Sequence, residues 1–420
     1  MTVSGFDLAA AFLVVVAIAG WLNVRFTGLP TAVAMVLAGI ACAALLSALH
    51  RLGWAPEEVG RALEAIRSVN FPIAVLGYLL AFLLFAGAMQ VDLAELRRRL
   101  AAIASLATLG VVISTLLVGG GLWGAARLLG VELPLAWAIA FGALICPTDP
   151  IAVLATVREG RFSQNLKSIL LGEALFNDGV GIVVFGAAVS VASAQAAPDL
   201  LLLVGRVALE ALGGLALGLA AGALTVRALR AIDDYAVEVI ATLALAMSVY
   251  AIAQAVHVSG PIAVVGAGLL MGARGVETAM SDMTRRYVRG FWTLVDEVLN
   301  AVLFLLLGLE LIVAPPRPEY AGLALAAIVL VTAARWATIL PWGLTFSLRR
   351  GGARATTVLA WGGVHGAISL ALALSLPQSP ARPALLTVTF AVVICSVLVQ
   401  GLTFSKLART LAPVAEDRGA

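Results

Sequence analysis

Thirteen apolar runs follow one another along this chain with few polar residues inside them, and that succession leaves few folds open. They fall near 8 to 22, 30 to 49, 72 to 89, 101 to 125, 134 to 156, 168 to 193, 200 to 226, 235 to 256, 260 to 273, 291 to 312, 321 to 346, 355 to 376 and 384 to 405. Most approach the roughly 20 residues that an α-helix needs to cross a bilayer, while the run at 260 to 273 is short and leaves the total open by one. With 62% hydrophobic and 12% charged residues, a water-soluble fold of 420 residues would leave much apolar surface uncovered. The expectation is an all-α integral membrane protein of about 13 transmembrane helices, a single transmembrane unit over 1–420 in the lipid bilayer. Cys42, Cys146 and Cys395 sit singly in apolar runs and read as small core residues, neither disulfide partners nor metal ligands.

The 27 basic and 24 acidic residues nearly balance, at a net charge of +3, and are too sparse for the continuous basic face that nucleic acid requires. Their distribution is informative. Nineteen of the basic residues lie in the odd-numbered connections and the C-terminal tail, six lie in the even connections, and Arg206 and Arg335 fall within spans. Cytoplasmic loops concentrate Lys and Arg, so the bias places the C-terminus in the cytoplasm and the N-terminus outside a cell (inner) membrane. Met1 to Asp7 lacks the positive region of a cleavable signal peptide, and 8 to 22 is expected to stay as the first helix.

A charged side chain in mid-span costs roughly 2.5 to 3.5 kcal/mol even on lenient insertion scales, so each one needs a partner or a purpose. Span five contains Cys146, Pro147, Thr148, Asp149 and Pro150 in succession. Two prolines remove two amide donors and clash with the preceding turn, so a regular helix cannot pass. Broken helices of this kind are tolerated where they line a wet cavity, and they form midplane ion sites in secondary transporters. A proline kink capped by Asp149 is the plainer reading. In span six, Glu173 and Asn177 share a helix face and Asp178 lies about 100° further round, which lets Asn177 and Asp178 border one groove. Such oxygen-bearing side chains suit a hard cation, although a polar network that only locks helices together would use the same residues.

Four further features need an assignment. Arg206 and Glu210 are spaced to neutralise one another on one helix. Asp296, Glu297 and Asn300 either cap a helix or line an inner vestibule, with capping favoured. Arg335 has no opposite charge nearby in sequence and must find its partner on another helix. His365 lies in a glycine cluster, Gly362, Gly363 and Gly366, that weakens span twelve, and it reads either as a hydrogen-bonded core residue or as a modulatory proton carrier. The breaks in spans five and twelve occupy matching places in two sets of three spans, four to six and eleven to thirteen, which implies an inverted repeat with broken crossing helices.

At residue level, Ala143 to Leu154 (ALICPTDPIAVL) and Gly172 to Val180 (GEALFNDGV) resemble the paired signatures of bacterial sodium/proton antiporters of the cation/proton antiporter-1 family, relatives of animal sodium/proton exchangers. The resemblance continues through Ser259 to Val265, Phe291 to Leu311 and Trp361 to Leu370 and so covers nearly the whole chain. It implies a homodimer built from an interface domain, here 1–100 and 200–315, and a six-helix core, here 101–199 and 316–412, that moves like an elevator, with a short cytoplasmic tail at 413–420. It also implies that Asp178 is the essential carboxylate shared by cation and proton. Asp149 and Thr148 then lie in the unwound span beside it and complete a Na+ ligand set with Asp178, with Asn177 next to them. Glu173 matches the family glutamate that salt-bridges an arginine, for which Arg335 is the best candidate. Two positions depart from the family pattern. Ala174 stands where members often have Ser, which removes a candidate ligand, and His365 stands where many have Arg, which bears on gating.

The resulting expectation is a secondary transporter and not an enzyme: no resident cofactor, Na+ (with Li+ or K+ as alternatives) exchanged for H+, and pH homeostasis as the outcome. With Asn177 in place of a second titrating acid and Glu173 held by Arg335, Asp178 should carry one H+ one way and one Na+ the other, an electroneutral 1:1 exchange. An intramembrane aspartyl protease would also place two aspartates on adjacent helices, but its Gly-x-Gly-Asp signature is absent from the sequence. A channel using the same groove is the other alternative.

Overall fold

A computed structural model describes residues 5–149, 164–194, 199–347 and 352–411. The regular secondary structure of the described residues is helical, with one isolated β-bridge besides. We number the helices α1 (Gly5–Leu22), α2 (Thr31–Arg51), α3 (Pro56–Ser68), α4 (Leu80–Met89), α5 (Leu93–Ser105), α6 (Val111–Leu128), α7 (Leu135–Leu144), α8 (Gln164–Ser193) and α9 (Leu200–Leu229). There follow α10 (Tyr235–Ala255), α11 (Gly260–Leu270), α12 (Asp282–Leu309), α13 (Ala321–Ser347), α14 (Gly352–Trp361), α15 (Ala367–Leu374), α16 (Arg382–Cys395) and α17 (Gly401–Leu411). Among the described residues nine helices, some joined through a π-helical turn, are long and apolar enough to cross a membrane. A tenth span arises if α3 and the segment Ile73–Met89, bent by 55° about the stretch that contains Pro72, are taken as one. The other expected runs are short or broken: α7 stops at Leu144, Gly260–Val276 is a short apolar helix, and α14 and α15 are separated by an irregular segment. The second half of the run expected at 134 to 156, including Pro150, lies outside the described residues, as does the tail at 413–420.

Helix starts follow from local chemistry. Asp92, Asp199 and Asp234 each accept two backbone amides from the first turn of the helix that follows, and Ser259 and Ser281 accept one each. These caps satisfy donors that have no carbonyl four residues earlier. Between helices, small residues set the distance. A Cβ built on Gly39 of α2 would fall 2.9 Å from the Gly308 Cα of α12, so these two helices touch backbone to backbone. Apolar side chains in a bilayer gain nothing by hiding from lipid, and this close van der Waals approach is what holds such helices together. Large apolar residues face outward in quantity, among them Leu201, Leu209, Leu212 and Leu224 on α9, as a lipid-facing helix requires.

The two sets of three spans are visible in the backbone. In the first, α5 and α6 lead into α7, the chain leaves helical geometry at Cys146 to Asp149, and α8 returns. In the second, α13 leads into α14, the chain opens at Gly362 to Gly366, and α15 to α17 complete the set. The two open segments meet as an antiparallel bridge in which the Asp149 amide donates to the Val364 carbonyl at 2.6 Å. Each break thus satisfies backbone groups freed by the other, which is how non-helical chain survives at membrane depth.

Candidate ion site

Proline and glycine account for the site's location. Helical geometry disfavours the residue before a proline, and α7 ends just ahead of Cys146 and Pro147. Across the bridge, a Cβ on Gly366 would come within 2.6 Å of Asp149 Oδ2, so only glycine lets the second break approach the first carboxylate.

α8 lies beside this crossing and presents different residues on different faces. Leu171, Leu175 and Asp178, at spacings of four and three, border a small cavity together with Asp149. Glu173 and Asn177 border a separate, very small cavity shared with Thr148, Arg335 and His365. The sequence expectation that Asn177 and Asp178 line one groove is therefore corrected: the 100° step between them sends them to two. Asn177 Nδ2 donates to the Cys146 carbonyl at 2.7 Å and lies 3.4 Å from Thr148 Oγ1, so it fastens α8 to the first break. Asp178 is 5% exposed, lies close to the Thr148 backbone, and its Oδ1 is buried without a hydrogen-bond partner. The Thr148 hydroxyl faces Asn177.

The remaining sequence candidates fall around this pair. Arg335 on α13 grips Glu173 with both guanidinium nitrogens, Nη1 to Oε1 and Nη2 to Oε2, the latter at 3.0 Å, and Nη2 also reaches the Leu359 carbonyl at 3.3 Å. The second repeat is thereby tied to α8 within a turn of Asn177. His365 is buried in the second break: its amide donates to Ser396 Oγ at 2.9 Å, and Nδ1 lies 3.4 Å from the Pro147 carbonyl of the first break. Arg206 and Glu210 form no ion pair, because Arg206 is exposed and turns toward a shallow groove that includes Asp199. Asp296 and Asn300 do not cap a helix. α12 begins nine residues before the apolar run, with Ser281 as its cap, which puts Asp296 and Asn300 in mid-helix against the cavity of Asp178. Their i,i+4 spacing in an apolar stretch was the signal available in the sequence.

Residues 13–410 match the transmembrane sodium/hydrogen exchanger family. The chain belongs to that family. It is 39% identical over 422 residues to the Na+/H+ antiporter NhaP of Pseudomonas aeruginosa, which covers 99% of each chain. It is 32% identical over 390 residues to the Na+/H+ antiporter NhaH of Halobacillus aidingensis, 91% of this chain and 92% of that one. Its fold superposes on the sodium proton antiporter MjNhaP1 from Methanocaldococcus jannaschii with a TM-score of 0.72 at 18% identity, over 97% of this chain and 99% of that one. The family member described here is thus a multi-pass membrane transporter and not a protease.

Proposed function

We propose that this protein exchanges Na+ for H+ across the cell membrane, with Asp178 as the group that carries either ion. The observation behind this reading is the buried Asp178 Oδ1, which has no hydrogen-bond partner and borders a cavity beside a broken helix. A bare carboxylate is costly in such a place, so it is occupied by a proton or by a cation, and the two compete. Asp149 on the same cavity and Thr148 in the break are the further oxygen ligands proposed for Na+. The names of the relatives favour Na+ over Li+ or K+.

The same competition, coupled to movement of the core (101–199 and 316–412) past the interface helices (1–100 and 200–315) of a homodimer, gives elevator-type alternating access. The C-terminus lies in the cytoplasm and the N-terminus outside, on the strength of the basic-residue bias. The test is a pH-dye assay in proteoliposomes with Na+, Li+ and K+ in turn. An imposed Na+ gradient should move protons in the opposite direction; dissipation of the cation gradient without proton movement would mark a channel instead.

Stoichiometry follows from the charges. Glu173 is held by Arg335, and Asn177 adds no titrating group, so one Asp178 carries one Na+ one way and one H+ the other. With the pH gradient clamped, turnover should therefore not respond to an imposed membrane potential. Net charge movement would feel about 2.3 kcal/mol per 100 mV, enough to be plain in the rate. A clear voltage dependence would rule out 1:1 exchange.

A further inference from the structure

The cavity that Asp178 borders is lined by a second pair of oxygen-bearing side chains, carried on a different helix. Asp296 and Asn300, one turn apart on α12, are 8% and 5% exposed and line this cavity with Asp149 and Asp178. Asn300 Nδ2 donates to Asp296 Oδ1 at 2.9 Å. That bond fixes the amide so that its carbonyl oxygen points away from Asp296, and Asn300 Oδ1 is buried with no hydrogen-bond partner. A buried amide oxygen left unsatisfied is destabilising, so a pair with a purely structural purpose would not leave one unpartnered beside a cavity. Carboxylate and amide oxygens together are the donor set of a hard cation. α12 stands outside the two broken-helix repeats and packs on α2 and α4. Gln90, at the end of α4, borders this cavity and also a larger depression that holds Asp92, Glu277 and Arg289, so the two adjoin there.

We infer that Asp296 and Asn300 form a second monovalent-cation subsite, at which the ion exchanges water for protein oxygen before it passes to Asp178. This rests on the reading of Asp178 as the exchange site. The subsite sits on the wall that does not belong to the repeats, and therefore serves ions arriving from one face of the membrane, the face of the loop that follows Gln90.

The test uses the full-length protein in proteoliposomes, with Na+ offered from each face in turn. Asp296→Asn should raise the half-saturating Na+ concentration about tenfold from the face of the Gln90 loop, with a much smaller change from the other face and in the maximal rate. Asn300→Ala, which keeps the carboxylate and removes the unpartnered carbonyl, should act in the same direction, and Asp296→Glu should restore much of the affinity. Unaltered half-saturation from both faces would overturn the subsite, as would a loss confined to maximal rate and melting temperature, the pattern of a structural pair. Wild type and Asp178→Asn measured alongside separate the two readings. If wild type does not exchange, the function fails; if wild type exchanges, Asp178→Asn does not and the Asp296 and Asn300 variants match wild type, the subsite alone fails.

Discussion

Arg335→Ala should lower the protein's stability by about 3–5 kcal/mol, because it strands Glu173 as an uncompensated charge in the core. Glu173 is 4% exposed and Arg335 13% by side chain, and the guanidinium also holds the Leu359 carbonyl near the second break. The loss should therefore appear in detergent melting before any change in ion selectivity. Removing both charges tests the pairing: Glu173→Gln combined with Arg335→Ala should recover part of the stability, since no charge is then left buried. Strict additivity of the two single losses would show that the side chains do not act as a pair.

Asp178→Asn should abolish Na+/H+ exchange while leaving a folded protein. Asparagine keeps the shape of the side chain and removes the group that both ions need. The neighbouring Asn177 still fastens α8 to the first break through the Cys146 carbonyl, so the packing around the site survives. Size-exclusion chromatography and melting should match wild type, and proton movement driven by a Na+ gradient should fall to the level of protein-free vesicles. If the variant exchanged at near wild-type rates, Asp149, on the same cavity, would be the carboxylate to test next.

Much of this architecture was legible from chain chemistry, and the failures share a cause. Span positions follow from hydropathy, because a bilayer punishes each polar residue individually. The break before Pro147 follows from the steric rule for residues preceding proline, and its partner at Gly362 to Gly366 follows from the matching place in the second set of spans. Arg335 stood out as a charge that needed a partner on another helix, and the family resemblance pointed to Glu173. What the sequence did not convey were facts of rotation and helix length. Asn177 and Asp178 are neighbours in sequence, yet the helix turns them toward different cavities, and which way each faces is set by how α8 packs on its neighbours. Asp296 and Asn300 looked like the start of a helix because the apolar run begins near Phe291, whereas α12 begins at Asp282 with a polar turn that extends past the apolar stretch. The pairing of Arg206 with Glu210 failed because spacing alone does not fix where two long side chains lie on an outward-facing helix.

The central claim, that proton and cation compete for Asp178, is tested most directly by the Na+ affinity of purified protein as a function of pH. If a proton must leave before the cation enters, the apparent affinity weakens about tenfold for each pH unit below the pKa of the carboxylate. Raising Na+ should then restore the full rate at low pH without changing its maximum. In weakly buffered detergent solution, adding Na+ to wild type should release protons, and adding it to Asp178→Asn should release none. An affinity indifferent to pH, or proton release that persists in Asp178→Asn, would contradict the account.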